Sequence, residues 1–317
     1  MDNKNVFVAI ALSMAVLLFW GAFFETPRQV KENQSIDKVQ TNQNEIQGNI
    51  TPSINQETVI KKISRDDALT EVDRVIIENE KVKGSISLKG AIFDDLSFKN
   101  YKKDLKSGEN VIFLNPKEIE DGYYIESGWT SIGNEVEVPG VDSLWQVKGN
   151  RVLSEKNNVV LEWNNGKGLI FKKTIKLDDK YLFKIKQEVQ NNTSTKINLY
   201  PYAQITRNKK PDDVMGFYIL HEGFIGVFDG ELKEDDYDDI EEKKAVRNSD
   251  NGWLGITDKY WVTAIVPPKD KNFKSTFLYK DNFRANYILN SPVEVKPNST
   301  SDNEVRLFVA AKEVETV

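Results

Sequence analysis

The sequence predicts an all-β domain, a large antiparallel β-sandwich, preceded by one transmembrane helix and a disordered linker. Three observations lead to this prediction. Residues 6–24 form one uncharged apolar segment, the residues after them are rich in Asn and Gln, and from about Leu69 apolar and polar residues alternate. Such alternation is typical of half-buried strands, because successive side chains of a strand point to opposite faces.

The apolar segment at 6–24 is predicted to cross a membrane once as a helix. Its nineteen residues, at about 1.5 Å each, span about 28 Å, close to the roughly 30 Å hydrocarbon core of a bilayer. A cleaved signal peptide is the alternative, but bulky aromatics such as Trp20 stand where a signal peptidase needs small side chains. Basic residues flank the segment on both sides, so charge alone leaves its orientation open.

Residues 25–68 are predicted to be a disordered linker. The segment has no aromatic residue and many side-chain amides, so it cannot bury enough apolar surface to offset the entropy cost of ordering. A flexible chain of about forty residues has a root-mean-square reach of about 35 Å. The linker therefore lets the following domain stand clear of the bilayer.

Residues 69–311 are predicted to form a single β-sandwich domain. Alternation is clearest at 81–89, 169–177 and 181–189, and turn-forming Asn, Asp and Gly residues separate the runs. One such sequence, Asn191-Asn192-Thr193, is predicted to be a hairpin turn. The strands are too uninterrupted for βαβ units and too many for a small barrel, which favours a large antiparallel sandwich.

The composition excludes many catalytic and metal sites. The chain has no cysteine and one histidine, His221. This removes disulfides, thiolate nucleophiles, cysteine-based metal sites and any pair of histidine ligands. A net charge of −6 does not favour nucleic-acid binding. The sequence therefore predicts no metal site and no nucleic-acid partner.

Two aromatic-rich segments, 221–227 and 252–261, supply the candidate ligand-contact residues. In a binding cleft, the rings would stack on a ligand while a carboxylate or the imidazole orients it. The alternative is core and turn packing, since Trp and Tyr bury large apolar areas while their polar atom finds one partner. The predicted cleft residues are His221, Glu222, Trp253, Asp258, Tyr260 and Trp261.

The sequence between these two segments, 229–244, is densely acidic. Its spacing does not match the calcium-binding loop of an EF-hand. We therefore expect a solvated loop or a short exposed helix. A docking surface for a basic partner is the alternative hypothesis.

The chain carries five informative segments in this order: 86–91, 161–171, 220–226, 252–261 and 307–313. Together they resemble the YidC/Oxa/Alb family of bacterial inner-membrane protein insertases. The resemblance covers the anchor and the whole β region, and it stops before the part that holds the insertase core in the family. Several long matches in the right order are more specific than any single motif.

The resemblance implies an orientation and a fold type. Residues 1–5 would be cytoplasmic, 6–24 would be the first span in the bacterial inner membrane, and 69–311 would be a periplasmic β-supersandwich similar to galactose mutarotases. Residues 312–317 would begin an interfacial helix that leads to the insertase core. Since that core lies outside the chain, no insertase residue can be assigned here.

By the same resemblance, the parent protein inserts, folds and assembles membrane proteins without enzymatic turnover and without a cofactor. Its partners would be the lipid bilayer, Sec translocon components and nascent membrane proteins, and this chain would supply an anchor and an accessory domain. Two alternatives stay open: a periplasmic carbohydrate-binding module on a single-pass anchor, and a cell-envelope hydrolase or epimerase. The second is disfavoured, because epimerases of this fold rely on paired histidines and this chain has one.

Overall fold

The structure, a computed structural model, describes residues 60–103, 106, 108–132, 136–212, 214 and 220–312. These residues belong to one compact unit of the chain. The segments predicted at 1–5 and 6–24, most of the linker and most of the predicted interfacial segment at 312–317 lie outside them. In the part of the chain that the structure describes, no helix is long and apolar enough to cross a membrane.

Two six-residue helices and twenty strands make up the regular structure of the described residues. The helices are α1 (Arg65–Thr70) and α2 (Tyr237–Glu242). The strands are β1 (Arg74–Glu78), β2 (Val82–Ser87), β3 (Ile92–Lys102), β4 (Asn110–Leu114), β5 (Tyr123–Thr130), β6 (Gln146–Lys148), β7 (Val152–Leu153), β8 (Val159–Asn164), β9 (Leu169–Leu177), β10 (Leu182–Asn191), β11 (Ile197–Arg207), β12 (Gly223–Phe228), β13 (Glu231–Asp236), β14 (Ala245–Ser249), β15 (Gly252–Thr257), β16 (Trp261–Val266), β17 (Phe273–Lys280), β18 (Asn282–Leu289), β19 (Val293–Val295) and β20 (Ser299–Ala311).

The strands form two sheets. The first has eleven strands, in the order β14-β17-β18-β11-β5-β3-β2-β1-β7, with β19 pairing with β11 and β4 pairing with β3. The second has nine strands, in the order β13-β12-β15-β16-β20-β10-β9-β8-β6. Among the described strands, only β1 and β7 pair in parallel. The short connections between runs are thus mostly those of antiparallel neighbours, as the turn residues predict.

The two sheets stack face to face around one hydrophobic core. Phe93 of β3 meets Phe183 of β10 with ring centroids 5.4 Å apart, and Phe224 of β12 meets Phe277 of β17 at 5.0 Å. Each pair joins one sheet to the other. Aromatic pairs of this kind add specific ring contacts to the large apolar area that they bury. The predicted all-β sandwich is confirmed.

Alternation places one face of each central strand in this core. Along β9, every second residue from Leu169 to Leu177 is buried, and the residues between them are partly or fully exposed. The charged member of the buried set is Lys173, whose relative exposure is 2%. Because the alternation of β9 is unbroken, Lys173 lies on the buried face of the strand together with its apolar residues.

Helix α1 lies partly within the residues that the sequence assigns to the linker. Ser64 caps the helix, because its side chain accepts a hydrogen bond from the backbone N–H of Asp67. Just before it, the N–H of Lys61 donates to the carbonyl oxygen of Glu118 at 2.7 Å. The folded domain therefore includes Lys61 and does not begin at Leu69. A six-residue helix is too short for hydrophobic periodicity to reveal it.

Asn191-Asn192-Thr193 is not a hairpin turn, so that prediction is wrong. Strand β10 belongs to the nine-stranded sheet and β11 to the eleven-stranded sheet, so the chain crosses between sheets here. The buried side-chain amide of Asn191 holds this crossing, since it donates to Thr195 O at 2.8 Å and to Val295 O at 3.1 Å. Asn-rich sequences suit both turns and crossings, because the Asn side chain can bond nearby backbone groups in either.

The acidic run at 229–244 differs from the expected loop or exposed helix. It contains β13, an edge strand whose side chains are almost all exposed. Helix α2 follows, and its Tyr237 and Ile240 are buried. Charged side chains on an edge strand discourage pairing with other chains. The short helix is therefore present, but two apolar side chains fix it to the core.

Candidate functional site

A cleft of about 390 Å³ opens beside the hairpin formed by β15 and β16. Its walls come from β4 and β5, from the end of β11 with the segment that follows it, and from the hairpin loop. Aromatic side chains, cations and carboxylates share the lining. Four of the six predicted cleft residues line it, namely Glu222, Asp258, Tyr260 and Trp261.

The β15–β16 hairpin brings three of these four residues together. The N–H of Asp258 donates to Trp261 O at 2.9 Å and closes a tight turn. Glu222 fixes this turn from outside, because its Oε1 accepts a hydrogen bond from the N–H of Lys259 at 3.1 Å. The carboxylate of Glu222 therefore shapes one wall of the cleft.

Arg207, the last residue of β11, is a cleft residue that the sequence did not reveal. Its Nη1 donates to both carboxylate oxygens of Asp258, at 2.7 and 2.8 Å. Its guanidinium carbon lies 4.7 Å from the ring centroid of Tyr123, and Nη1 lies 3.3 Å from the hydroxyl oxygen of Tyr237. The sequence signal that could have identified it is a cluster of cations, Arg207 with Lys209 and Lys210, at the end of a long strand.

Burial and charge fix the protonation states around this ion pair. Burial raises the pKa of Tyr123 and raises the pKa of Tyr237 well above its ordinary value, so both hydroxyls stay neutral. Burial acts to lower the pKa of Arg207, but Tyr237 and Asp258 outweigh it, and the pKa is raised. At the rim, Lys209 donates a hydrogen bond to the carboxylate of Asp121, 3.0 Å away, and this hydrogen bond raises the pKa of Lys209.

The aromatic side chains of the cleft are mostly engaged by the core. The ring of Trp261 stacks on Phe98 with centroids 4.8 Å apart and an interplanar angle of 17°, and the edge of Tyr101 contacts it at 5.1 Å. Tyr260 is 56% exposed, and the Nζ of Lys259 lies 5.0 Å from its ring centroid. Tyr260 is therefore the ring that the hairpin offers to solvent.

His221 and Trp253, also predicted as cleft residues, are not part of its lining. The Nε2 of His221 lies 2.8 Å from the carbonyl oxygen of Phe224, and its Nδ1 lies 3.4 Å from a carboxylate oxygen of Asp236. Trp253 alternates with the core residue Leu254 and so points away from the core. The contacts of His221 are therefore local and structural, whereas Trp253 lies on the outer face of β15.

The lining can hold a polar ligand by hydrogen bonds and ionic contacts. As far as the structure describes the cleft, its lining contains no histidine, cysteine or serine. Within the described residues, no group of three or more His, Cys, Asp or Glu side chains could hold a metal ion.

The two stacked sheets define the class of protein. The X-ray structure of a galactose mutarotase related enzyme from Lactobacillus acidophilus resembles this chain with a TM-score of 0.52 and 11% sequence identity. The match covers 76% of this chain and 99% of the enzyme. At this identity the likeness concerns the fold alone. The chain therefore has the predicted galactose-mutarotase-like β-supersandwich.

Residues 74–317 match the family described as the YidC periplasmic domain, and the chain belongs to this family. Membrane protein insertase YidC of Pelagibacter ubique is 46% identical over 319 residues, which cover 100% of this chain and 56% of that protein. Membrane protein insertase YidC of Cereibacter sphaeroides is 34% identical over 332 residues, covering 100% of this chain and 52% of that protein. The chain thus spans about half the length of the curated relatives it matches. The family predicted from the sequence is confirmed.

Proposed function

We propose that this chain is the amino-terminal part of a membrane protein insertase and that it supplies an anchor and an accessory β domain. The proposal rests on the extent of the alignments, because the match to both named insertases covers the whole chain and not the β domain alone. In this proposal the parent protein inserts, folds and assembles integral membrane proteins, alone or beside the Sec translocon. The chain itself acts as a docking module for Sec components and nascent membrane proteins.

The proposal assigns each segment to a compartment. Residues 1–5 are cytoplasmic, 6–24 cross the bacterial inner membrane, and the β domain lies in the periplasm. The length and apolar character of 6–24 support one span. The family's description as a periplasmic domain supports the location of the β domain.

In this proposal the β domain works without enzymatic turnover. The carboxylate of Asp258 is engaged by Arg207, and His221 lies outside the cleft lining. A hydrolase or epimerase that uses His221 would lose its turnover in a His221→Ala variant. The contacts of His221 support a structural role instead.

The carbohydrate-binding alternative has less support from the geometry. It requires Trp253 and Trp261 to form a joint stacking platform. Trp253 points away from the core, whereas Trp261 packs against Phe98 inside the sandwich. The two rings therefore lie on opposite faces of the nine-stranded sheet, so they cannot share one ligand.

A chimera with the insertase of Pelagibacter ubique tests the insertase proposal. This chain replaces the matching amino-terminal part of that protein, and the chimera is produced in bacteria depleted of their own insertase. We expect a reporter membrane protein to reach its inserted, protease-protected form as it does with the intact relative, which is the control. A chimera that accumulates in the membrane but leaves the reporter uninserted contradicts the proposal.

A further inference from the structure

The outer face of the nine-stranded sheet carries a cationic row, made of Lys176, Lys184 and Arg306. Lys184 of β10 lies directly opposite Lys176 of β9 on one side and opposite Arg306 of β20 on the other. All three alternate with buried core residues, so they point away from the core. None of the three forms an ion pair within the residues that the structure describes.

Neighbouring lysines on the same face behave differently. Lys172 lies 3.6 Å from a carboxylate oxygen of Glu162, and Lys186 lies 3.1 Å from one of Glu188. Like charges directly opposite each other destabilise a sheet. The chain as a whole has more carboxylates than cations, with a net charge of −6. The three cations therefore repel one another in the folded domain, and an anionic partner would neutralise this repulsion.

An apolar patch borders the cationic row on the same face. Phe308 and Leu182 lie opposite each other. Phe308 is two residues from Arg306 on β20, and Leu182 is two residues from Lys184 on β10. From there the patch crosses the sheet to the edge strand β13, where Leu232 is 55% exposed. Its members, all partly or fully exposed, are Leu182, Ile225, Val227, Leu232, Trp253, Val266 and Phe308. Leu232 is exposed and the other six are half-buried. A contiguous apolar patch on an outer face is typical of an interaction surface.

We propose that the cationic row and the apolar patch together rest on a bilayer surface that contains anionic phospholipids. Trp side chains favour the headgroup level of a membrane, and Phe and Leu side chains enter the boundary between headgroups and acyl chains. Lys and Arg reach lipid phosphates while their stems cover apolar surface. A bilayer presents phosphates next to apolar chains, so it satisfies both parts of this face. An acidic protein segment would satisfy the cationic row and leave the apolar patch exposed. The inference goes beyond the insertase role, since it needs only a membrane within reach of the domain.

Lipid contact can be measured on the full chain, because the chain has no cysteine of its own. A Leu232→Cys variant carrying an environment-sensitive fluorophore is reconstituted in vesicles of phosphatidylcholine, with or without phosphatidylglycerol. The matched control is Val246→Cys on edge strand β14 of the other sheet, where the native side chain is 47% exposed. We expect a blue shift and quenching by spin-labelled lipid for Leu232→Cys in the anionic vesicles, and neither for Val246→Cys.

Neutralising the cationic row separates lipid contact from folding. In anionic vesicles, the blue shift of labelled Leu232→Cys should be lost when Lys176→Gln, Lys184→Gln and Arg306→Gln are added. In the protein that keeps the three cations, about 1 M salt should weaken the blue shift. The thermal unfolding temperature of the triple variant should be equal or higher, because the repulsion between the three cations is removed. An absent shift in anionic vesicles, an equal shift in neutral vesicles, or a shift that survives in the folded triple variant would overturn the proposal.

Discussion

Lys173 is a lysine inside the hydrophobic core. Its Nζ donates to Ser127 O at 2.6 Å and lies 5.0 Å from the ring centroid of Trp145. Burial lowers the pKa of Lys173 to about 8, and the charge of Glu126 acts in the opposite direction. The folded state therefore carries a penalty for the charged form of this side chain.

Replacing Lys173 with Met should raise the free energy of unfolding at neutral pH by about 2 kcal/mol. Because the pKa is about 8 in the folded state against an ordinary value of 10.5, the penalty is fully present below pH 8 and fades as the pH rises to 10.5. The advantage of the variant should shrink over that range. Urea unfolding at several pH values measures it, with Lys172→Met on the outer face as control. Parallel pH profiles for Lys173→Met and the native chain would show that Lys173 carries no penalty.

Arg207 and Asp258 form the ion pair of the cleft, and their side chains are 16% and 14% exposed. An Arg207→Met variant leaves the Asp258 carboxylate without its counter-charge, so we expect a loss of about 3 kcal/mol in unfolding free energy. Adding Asp258→Asn should recover part of the loss, which a double-mutant cycle measures. The control is Lys209→Met at the exposed rim, which should have no measurable effect. Additive single losses, with no recovery, would mean that the two residues are not coupled.

At the scale of elements, the crossing from β10 to β11 depends on one buried side chain. Asn191 is 0% exposed. Its amide donates twice, and its Oδ1 accepts from the N–H of Thr193 at 2.9 Å and from the hydroxyl of Thr193 at 2.7 Å. All the hydrogen-bonding capacity of this side chain is therefore used within the protein.

An Asn191→Asp variant should lose about 2 kcal/mol of unfolding free energy, because a carboxylate cannot donate to the two carbonyl oxygens. Asn192→Asp is the matched control, since Asn192 is the next residue and is exposed. Chemical denaturation measures both variants. Equal stabilities for the two would contradict the role assigned to Asn191.

The sequence predicts individual strands better than it predicts how strands are distributed between the two sheets. The strands at 169–177 and 181–189 were predictable, because each has a buried and an exposed face that repeats every two residues. The crossing at Asn191 and the short helix α1 were not, because local turn chemistry does not say to which sheet the next strand belongs. Sheet assignment depends on contacts between distant residues.

In the whole molecule, the cleft also depends on contacts between residues that are distant in sequence. Asp258, Tyr260 and Trp261 are close in sequence, so one aromatic-rich segment was enough to predict them together. Tyr123 and Arg207 come from β5 and β11, which meet only because those strands pair in the folded sheet. Family resemblance supplied the fold type, but the residues of the cleft had to be located in the structure.

The whole molecule combines a long apolar segment, a polar linker and a supersandwich of the YidC periplasmic domain family. We propose that the chain holds this domain on the periplasmic side of the bacterial inner membrane. Since the chain has no cysteine, a single introduced cysteine shows on which side of the membrane its position lies. Lys271 is exposed on the domain, and Asp2 lies in the segment predicted to be cytoplasmic.

Labelling of Lys271→Cys and Asp2→Cys variants with a membrane-impermeant maleimide in spheroplasts tests this location. We expect Lys271→Cys to be labelled in intact spheroplasts and Asp2→Cys to be labelled only after the membrane is permeabilised. Labelling of Lys271→Cys only after permeabilisation would contradict the periplasmic location of the β domain.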